Sequence, residues 1–159
     1  MRIIAFSDSH GDYHSLERVV LREPYADIFI FLGDGEQELS LIKTEYNQKV
    51  FAAVCGNCDF YSLLPQRGAF SALTHRIFYT HGHRYNVKSG TESLISAAAN
   101  EGADIVLFGH THCALWEYHD GIYLINPGSV SRPRGSKAGY AIIDITESGV
   151  AGGLVSLER

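Results

Sequence analysis

Seven side chains with metal-binding chemistry punctuate this sequence, each close to the end of an apolar run. They are Asp8 and His10 in Asp8-Ser9-His10, Asp34 after Gly33, Asn57 after Gly56, His81 in His81-Gly82-His83, and His110 and His112 in Phe108-Gly109-His110-Thr111-His112. Imidazole nitrogen and carboxylate oxygen together suit a borderline divalent ion. An aspartate can bridge two ions with its two oxygens, and Asp34 is the candidate. Two ions about 3.5–4 Å apart would activate a bridging water and stabilise the oxygens of an in-line displacement at phosphorus. Each residue alone has a plainer explanation. An aspartate after a strand is often a helix cap, a lone His81 reads as a hydrogen-bonded structural histidine, and His-x-His can be simple alternation along a strand. It is their joint occurrence, in this order and beside glycines 33, 56, 82 and 109, that argues for a metal site. His14, His75 and His119 read as surface residues.

The elements that must position these side chains are legible as apolar runs. Ile3 to Phe6, Asp27 to Leu32, Lys49 to Val54 and Asp104 to Phe108 read as buried strands, and Tyr13 to Arg22 as an amphipathic helix carrying Leu16, Val19 and Val20 on one face. Pro24 ends that helix, and a second helix is expected from Glu36 to Lys43. Near-continuous apolar strands joined by helices imply parallel pairing covered on both faces. The second half changes character. Phe70 to Leu73 and Arg76 to Thr80 pair as strands, and a helix follows from Thr91 to Asn100. Hairpins are expected around Asp120-Gly121 and around Glu147-Ser148-Gly149. Asp8, Asp34 and Asn57 then lie at the carboxyl ends of strands, the edge where ligands collect in open α/β sheets.

Composition narrows the function classes. A chain of 159 residues with 45% apolar and 19% charged content suits one globular domain over 1–159. A net charge of −5 argues against a stable nucleic-acid partner, yet leaves room for a small phosphorylated substrate held by local cations. Met1-Arg2 leads into only four apolar residues, too few for a signal segment, and no run approaches a membrane span. Three sparse cysteines (Cys55, Cys58 and Cys113) fit reduced thiols, so a cytoplasmic location is expected. Cys55-Gly56-Asn57-Cys58 matches a redox or zinc spacing, but it follows a strand and has no second pair, which favours two unrelated thiols.

Asp-x-His, Gly-Asp, Gly-Asn-x-Asp, His-Gly-His and Gly-His-Thr-His, in this order, resemble the calcineurin-like metallophosphoesterases. The short length and Asn126-Pro127-Gly128-Ser129 resemble in particular the small bacterial and archaeal YfcE-like phosphodiesterases. That resemblance implies an α/β, four-layer αββα sandwich of two mixed β-sheets flanked by helices. It implies two divalent metal ions, one held by Asp8, His10 and His112 and the other by Asn57, His81 and His110, with Asp34 between them. Manganese is the expected ion, with nickel, zinc or iron as substitutes. The implied reaction is hydrolysis of a phosphodiester by a metal-bridging hydroxide, with Asn57 also counted in the catalytic set.

One position departs from the wider superfamily, which usually carries histidine after Gly-Asn; here Cys58 stands in its place. A thiol is a poor replacement for imidazolium at neutral pH, so diesters with good leaving groups are the expected substrates. His83 is the candidate substitute acid or phosphate contact, against a structural role. The loop Ser129 to Lys137 is the densest basic segment, with Arg132 the candidate phosphate clamp; otherwise it is a solvated connection between hairpins. The rival reading is a scaffold of the same fold, catalytically weak or used for protein interaction, as a eukaryotic retromer subunit is. Such a protein would be expected to lose ligands, and none is missing. Pairing through an edge hairpin would give a homodimer.

Overall fold

The structure, a computed structural model, describes residues 1–158. β1 (Arg2–Phe6) is central in its sheet: it pairs parallel with β2 (Ile28–Phe31) and antiparallel with β9 (Gly139–Thr146). A strand flanked on both sides and covered on both faces has no solvent face, which is why Ile3-Ile4-Ala5-Phe6 is apolar throughout. β3 (Phe51–Ala53) and β10 (Gly149–Ser156) complete the order β10-β9-β1-β2-β3. The second sheet has the order β4-β5-β6-β8-β7. It comprises β4 (Arg67–Ala72), β5 (His75–Thr80), β6 (Ile105–Leu107), β7 (Ala114–His119) and β8 (Ile122–Pro127). Both sheets are mixed, with β1-β2-β3 and β5-β6-β8 as parallel cores.

Strand alternation sorts the apolar side chains into three cores. Ile3, Ala5, Ile30 and Leu32 point inward and meet Ile77, Ile105, Leu107 and Ile125 between the sheets. Their neighbours Ile4, Phe6, Phe29 and Phe31 point outward onto α1 (Tyr13–Arg22) and α2 (Glu36–Glu45), against Leu16, Val19, Leu39 and Ile42. On the far side Phe78, Val106 and Leu124 receive Leu94 and Ala98 of α3 (Glu92–Asn100). Each of the larger side chains among them contributes about 1.5–3 kcal/mol when removed from water. The result is the four-layer αββα sandwich of an α/β protein. Asp12 caps α1 by accepting the Ser15 N–H at 3.0 Å.

The expected elements are present with shifted ends: α2 runs on to Glu45, β4 begins at Arg67, and β3 contracts to three residues. A short 3-10 helix at His83–Tyr85 had no periodic signal because it is a single turn. His75 corrects the surface reading. It is half-buried, and its Nδ1 lies 2.7 Å from Asp104 Oδ2 as β5 starts beside β6. Among the described residues, no helix is long and apolar enough to cross a membrane.

Candidate metal centre

The carboxyl ends of β1, β2, β3, β5 and β6 deliver the seven predicted side chains to one edge, in two groups. Asp8 Oδ1 lies 3.2 Å from His112 Nε2 and 3.8 Å from His10 Nε2, and the two imidazole nitrogens are 3.2 Å apart. In the other group, His81 Nε2 lies 3.1 Å from Asn57 Oδ1 and 3.2 Å from His110 Nδ1. Asp34 stands between: its Oδ2 is 3.5 Å from His81 Nε2 and 3.8 Å from His10 Nε2. Asp34 is the residue expected to bridge, and its two oxygens differ in their surroundings. Oδ1 turns away to accept the Cys58 N–H at 2.7 Å, so Oδ2 alone faces both groups.

These atoms fit divalent ions by their own chemistry. His81 Nδ1 donates to Leu32 O at 2.7 Å and His112 Nδ1 to Arg132 O at 2.6 Å, which leaves both Nε2 lone pairs directed into the site. Asp8 is fully buried, and the polar neighbours of its Oδ1 are two imidazole nitrogens, His112 Nε2 at 3.2 Å and His10 Nε2 at 3.8 Å. Acceptors facing acceptors in a buried place call for a cation. Without one, a proton partly serves. Burial works to lower His81, but its hydrogen bond to Asp34 and the charges of Asp8 and Asp34 raise it on balance. Burial likewise works to raise Asp34, and is overcome by His81 and the Cys58 N–H, which pull the carboxyl well below its usual range. The hydrogen bond to Asp8 raises His112. His110 moves the other way, to about 4, through burial and the charges of His81 and Lys88.

The backbone is bent to make this arrangement. Of nine non-glycine residues with positive φ among the described residues, five are proposed ligands: Asp8, His10, Asp34, His110 and His112. The left-handed region is unfavourable for such residues, and clusters of it mark functional sites. Gly56 lets two loops touch, since a Cβ there would sit 2.0 Å from Asp34 Oδ1.

Sequence reasoning gave no role to the groups that hold the loops. Asp59 accepts four backbone N–H bonds, from Asp34 (2.8 Å), Gly35 (2.8 Å), Glu36 (3.0 Å) and Gly56 (2.7 Å), and so ties the Asp34 loop to the Asn57 loop. Asn126 donates to Gly109 O and to Thr111 Oγ1, both at 3.0 Å, fixing the turn that carries His110 and His112. The Ser129 hydroxyl donates to Asp8 O at 2.7 Å, and the Ser131 hydroxyl to Ser9 O at 2.8 Å. Asp59, Asn126 and Ser129 were marked only by lying within the quoted Gly-Asn-x-Asp and Asn-Pro-Gly-Ser segments, and Ser131 only by lying in the basic loop.

A cavity of about 440 Å³ opens over the site, with Asn57, Cys58, Lys88, Arg132 and Arg134 among its walls. The basic loop is anchored rather than free: Arg132 Nη2 donates to His10 O at 3.3 Å and the Arg134 N–H to His112 O at 2.9 Å. Lys137 instead pairs with Glu158 at 3.6 Å. Lys88, which the sequence did not single out, faces the same cavity. His83 stands behind the ligands, its ring centre 5.3 Å from that of His81, its Nδ1 buried and unpartnered. Burial and the His81 charge lower its pKa. Burial and Asp34 push the Cys58 thiol up to about 11. All three cysteines are free thiols.

An αββα sandwich that gathers buried aspartates with asparagine and histidine side chains at its strand ends defines a protein of the metallophosphoesterase class. The chain belongs to the calcineurin-like phosphoesterase superfamily, whose domain matches residues 1–148. It is 35% identical over 147 residues to the probable metallophosphoesterase YsnB of Bacillus subtilis (strain 168), covering 91% of this chain and 85% of that protein. It is 30% identical over 171 residues to the phosphodiesterase YfcE of Escherichia coli (strain K12), covering 91% and 88%. Among solved structures, a conserved protein from Streptococcus pneumoniae TIGR4, described as a predicted phosphoesterase, superimposes with a TM-score of 0.81 at 33% identity, covering 92% of this chain and 83% of that one. The zinc complex of Vps29 from Entamoeba histolytica has a TM-score of 0.76 at 20% identity, covering 94% and 89%, and shares the fold.

Proposed function

We propose that this chain is a dinuclear metal-dependent phosphodiesterase, with manganese as its expected ion. The observation that carries this is Asp34 Oδ2, placed 3.5 and 3.8 Å from a nitrogen of each ligand group, the position a shared ligand must occupy. The identity to a named phosphodiesterase over 91% of the chain agrees with it. Asp8, His10 and His112 would hold one ion and Asn57, His81 and His110 the other. Bound there, the ions supply Lewis acidity and a water acidic enough to attack phosphorus near neutral pH.

The chain's own residues supply the rest. Arg132, fixed by His10 O and projecting into the cavity, meets phosphoryl oxygens as negative charge develops on them. Asn57 orients the substrate as well as an ion. His83, neutral and behind His81, acts as a contact that keeps His81 and His110 in place. At position 58 a thiol is a poorer proton donor to a leaving group than an imidazolium at neutral pH, so diesters with acidic leaving groups are preferred over alkyl monoesters. The carboxylates and imidazoles of both sites are retained, which disfavours the scaffold reading.

Bound metal and turnover of a chromogenic aryl phosphodiester, with and without added manganese, test this together. About two ions per chain and manganese-dependent turnover are expected, both lost in Asp34→Asn. No bound metal would favour a scaffold, metal without turnover a metal-binding protein, and equal rates on an alkyl monoester would refute the leaving-group argument.

A further inference from the structure

Lys88 and Arg134 line the cavity over the metal centre and also an adjoining one of about 380 Å³, whose other walls include Val87, Phe108 and Leu115. The two cations therefore stand between the phosphoryl site and an apolar recess. They come from different loops, each anchored through its backbone or its neighbour, and both side chains are exposed. Lys88 follows Val87, which is buried against Gly82, and Arg134 is tied to His112 O through its N–H. Among the described residues several cations lack a carboxylate within ion-pair distance; Lys88 and Arg134 are the two of them that line both cavities.

A charge count shows what they are for. Two divalent ions are offset by Asp8, Asp34, a hydroxide nucleophile and the single charge of a diester. The transition state carries the same total, because attack of hydroxide on the diester conserves charge, so Arg132 orients the phosphoryl oxygens without a further charge to balance. Lys88 and Arg134 remain, a match for one additional phosphate, which carries about −1.5 to −2 at neutral pH. A neighbouring region, which shares His10, Asp34 and Cys58 with the cavity over the centre, repels such a group. There a cavity of about 580 Å³ is lined by Glu36 and Glu38 together with the exposed Phe60, Tyr61 and Leu63.

We propose that the substrate is a phosphodiester bearing a second phosphate on the arm that stays with the scissile phosphoryl group. That phosphate is seated between Lys88 and Arg134, while the uncharged leaving arm lies toward Phe60 and Tyr61. This rests on the phosphodiesterase reading and adds the substrate class. Two solvent-accessible charged contacts of this kind, each up to about 1 kcal/mol, together give roughly tenfold in affinity.

The test compares two esters with one leaving group, thymidine 5′-(p-nitrophenyl phosphate) with and without a 3′-phosphate. In low salt, kcat/KM is expected to be at least about tenfold higher with the 3′-phosphate. The ratio should shrink as salt rises, fall to within about twofold in a Lys88→Ala, Arg134→Ala double variant, and survive in Lys88→Arg. Calorimetry on the manganese-loaded protein supplies an independent reading: thymidine 3′,5′-bisphosphate should bind at least about tenfold more tightly than thymidine 5′-monophosphate, again only with both cations present. Equal turnover of the two esters, or equal binding of the two nucleotides, overturns the proposal. Tighter bisphosphate binding with neither ester cleaved supports the subsite and overturns the diesterase reading instead.

Discussion

Replacing Asp59 with asparagine tests whether one carboxylate holds two ligand loops in register. Asp59 Oδ1 accepts from Gly35 and Glu36, and Oδ2 from Asp34 and Gly56, at 2.7 to 3.0 Å. Asparagine keeps one oxygen and can serve one of these pairs. Its amide group meets the other pair donor to donor. A hydrogen bond to a charged acceptor contributes about 1.5–3 kcal/mol, so the loss of two costs about 3–6 kcal/mol. Water reaching this half-buried residue offsets part of that, leaving about 3 kcal/mol. At about 2–4 °C per kcal/mol for a chain of this size, Tm should fall by about 6–12 °C in chelator. Because Asp34 and Asn57 sit on the released loops, manganese affinity should fall about 10–100-fold, the range found when groups supporting metal ligands are removed. Calorimetric melting and metal titration measure the two effects separately. Metal affinity within about twofold of the parent would refute the idea that Asp59 sets ligand register, and an unchanged Tm would refute the hydrogen-bond arithmetic.

Gly56→Ala drives a Cβ to 2.0 Å from Asp34 Oδ1, whereas Gly102→Ala, at φ +67°, meets nothing within 4 Å. The first should abolish metal binding, and the second should cost only about 1 kcal/mol of backbone strain; equal melting losses would contradict the close approach. In metal-free protein, the His110 pKa is lowered to about 4. Its contribution to stability is therefore present above the unfolded value near 6.5 and lost as pH falls toward 4. His81 and His112 are raised and act oppositely, adding stability below about 6.5 that disappears as pH rises through their folded values. Melting from pH 8 to 4 should thus show less acid loss in His110→Gln than in the parent. The Cys58 thiol, held at about 11, should react with iodoacetamide at pH 7.5 at least about tenfold more slowly than an unstructured cysteine peptide. Mass spectrometry of chelator-treated protein reads this directly, and labelling at the peptide's rate would refute the thiol's environment.

The strands and helices were legible because each leaves a periodic trace. Ile3 to Phe6 is apolar at every position because β1 is covered on all sides, and the Leu16, Val19 and Val20 stripe of α1 faces the first sheet. The ligand types were legible because imidazole and carboxylate at strand ends have few other uses in such number. The 3-10 turn at His83–Tyr85, the partnership of His75 with Asp104 and the role of Asp59 left no such trace. A single turn has no period, and a carboxylate that binds backbone N–H groups from another loop carries no mark of its partners.

What this sequence determined by itself was therefore an inventory: two sheets, three helices, and a ligand set able to hold divalent ions. Only the tertiary structure decided that Asp34 presents one oxygen rather than two to both ligand groups. That choice is made by the Cys58 N–H, which captures the other oxygen across a gap kept open by Gly56. It also set Lys88 beside Arg134 although 45 residues separate them in the chain. Charge and hydrogen bonding act through space, and where two loops of one chain meet is fixed by the packing of the sheets beneath them.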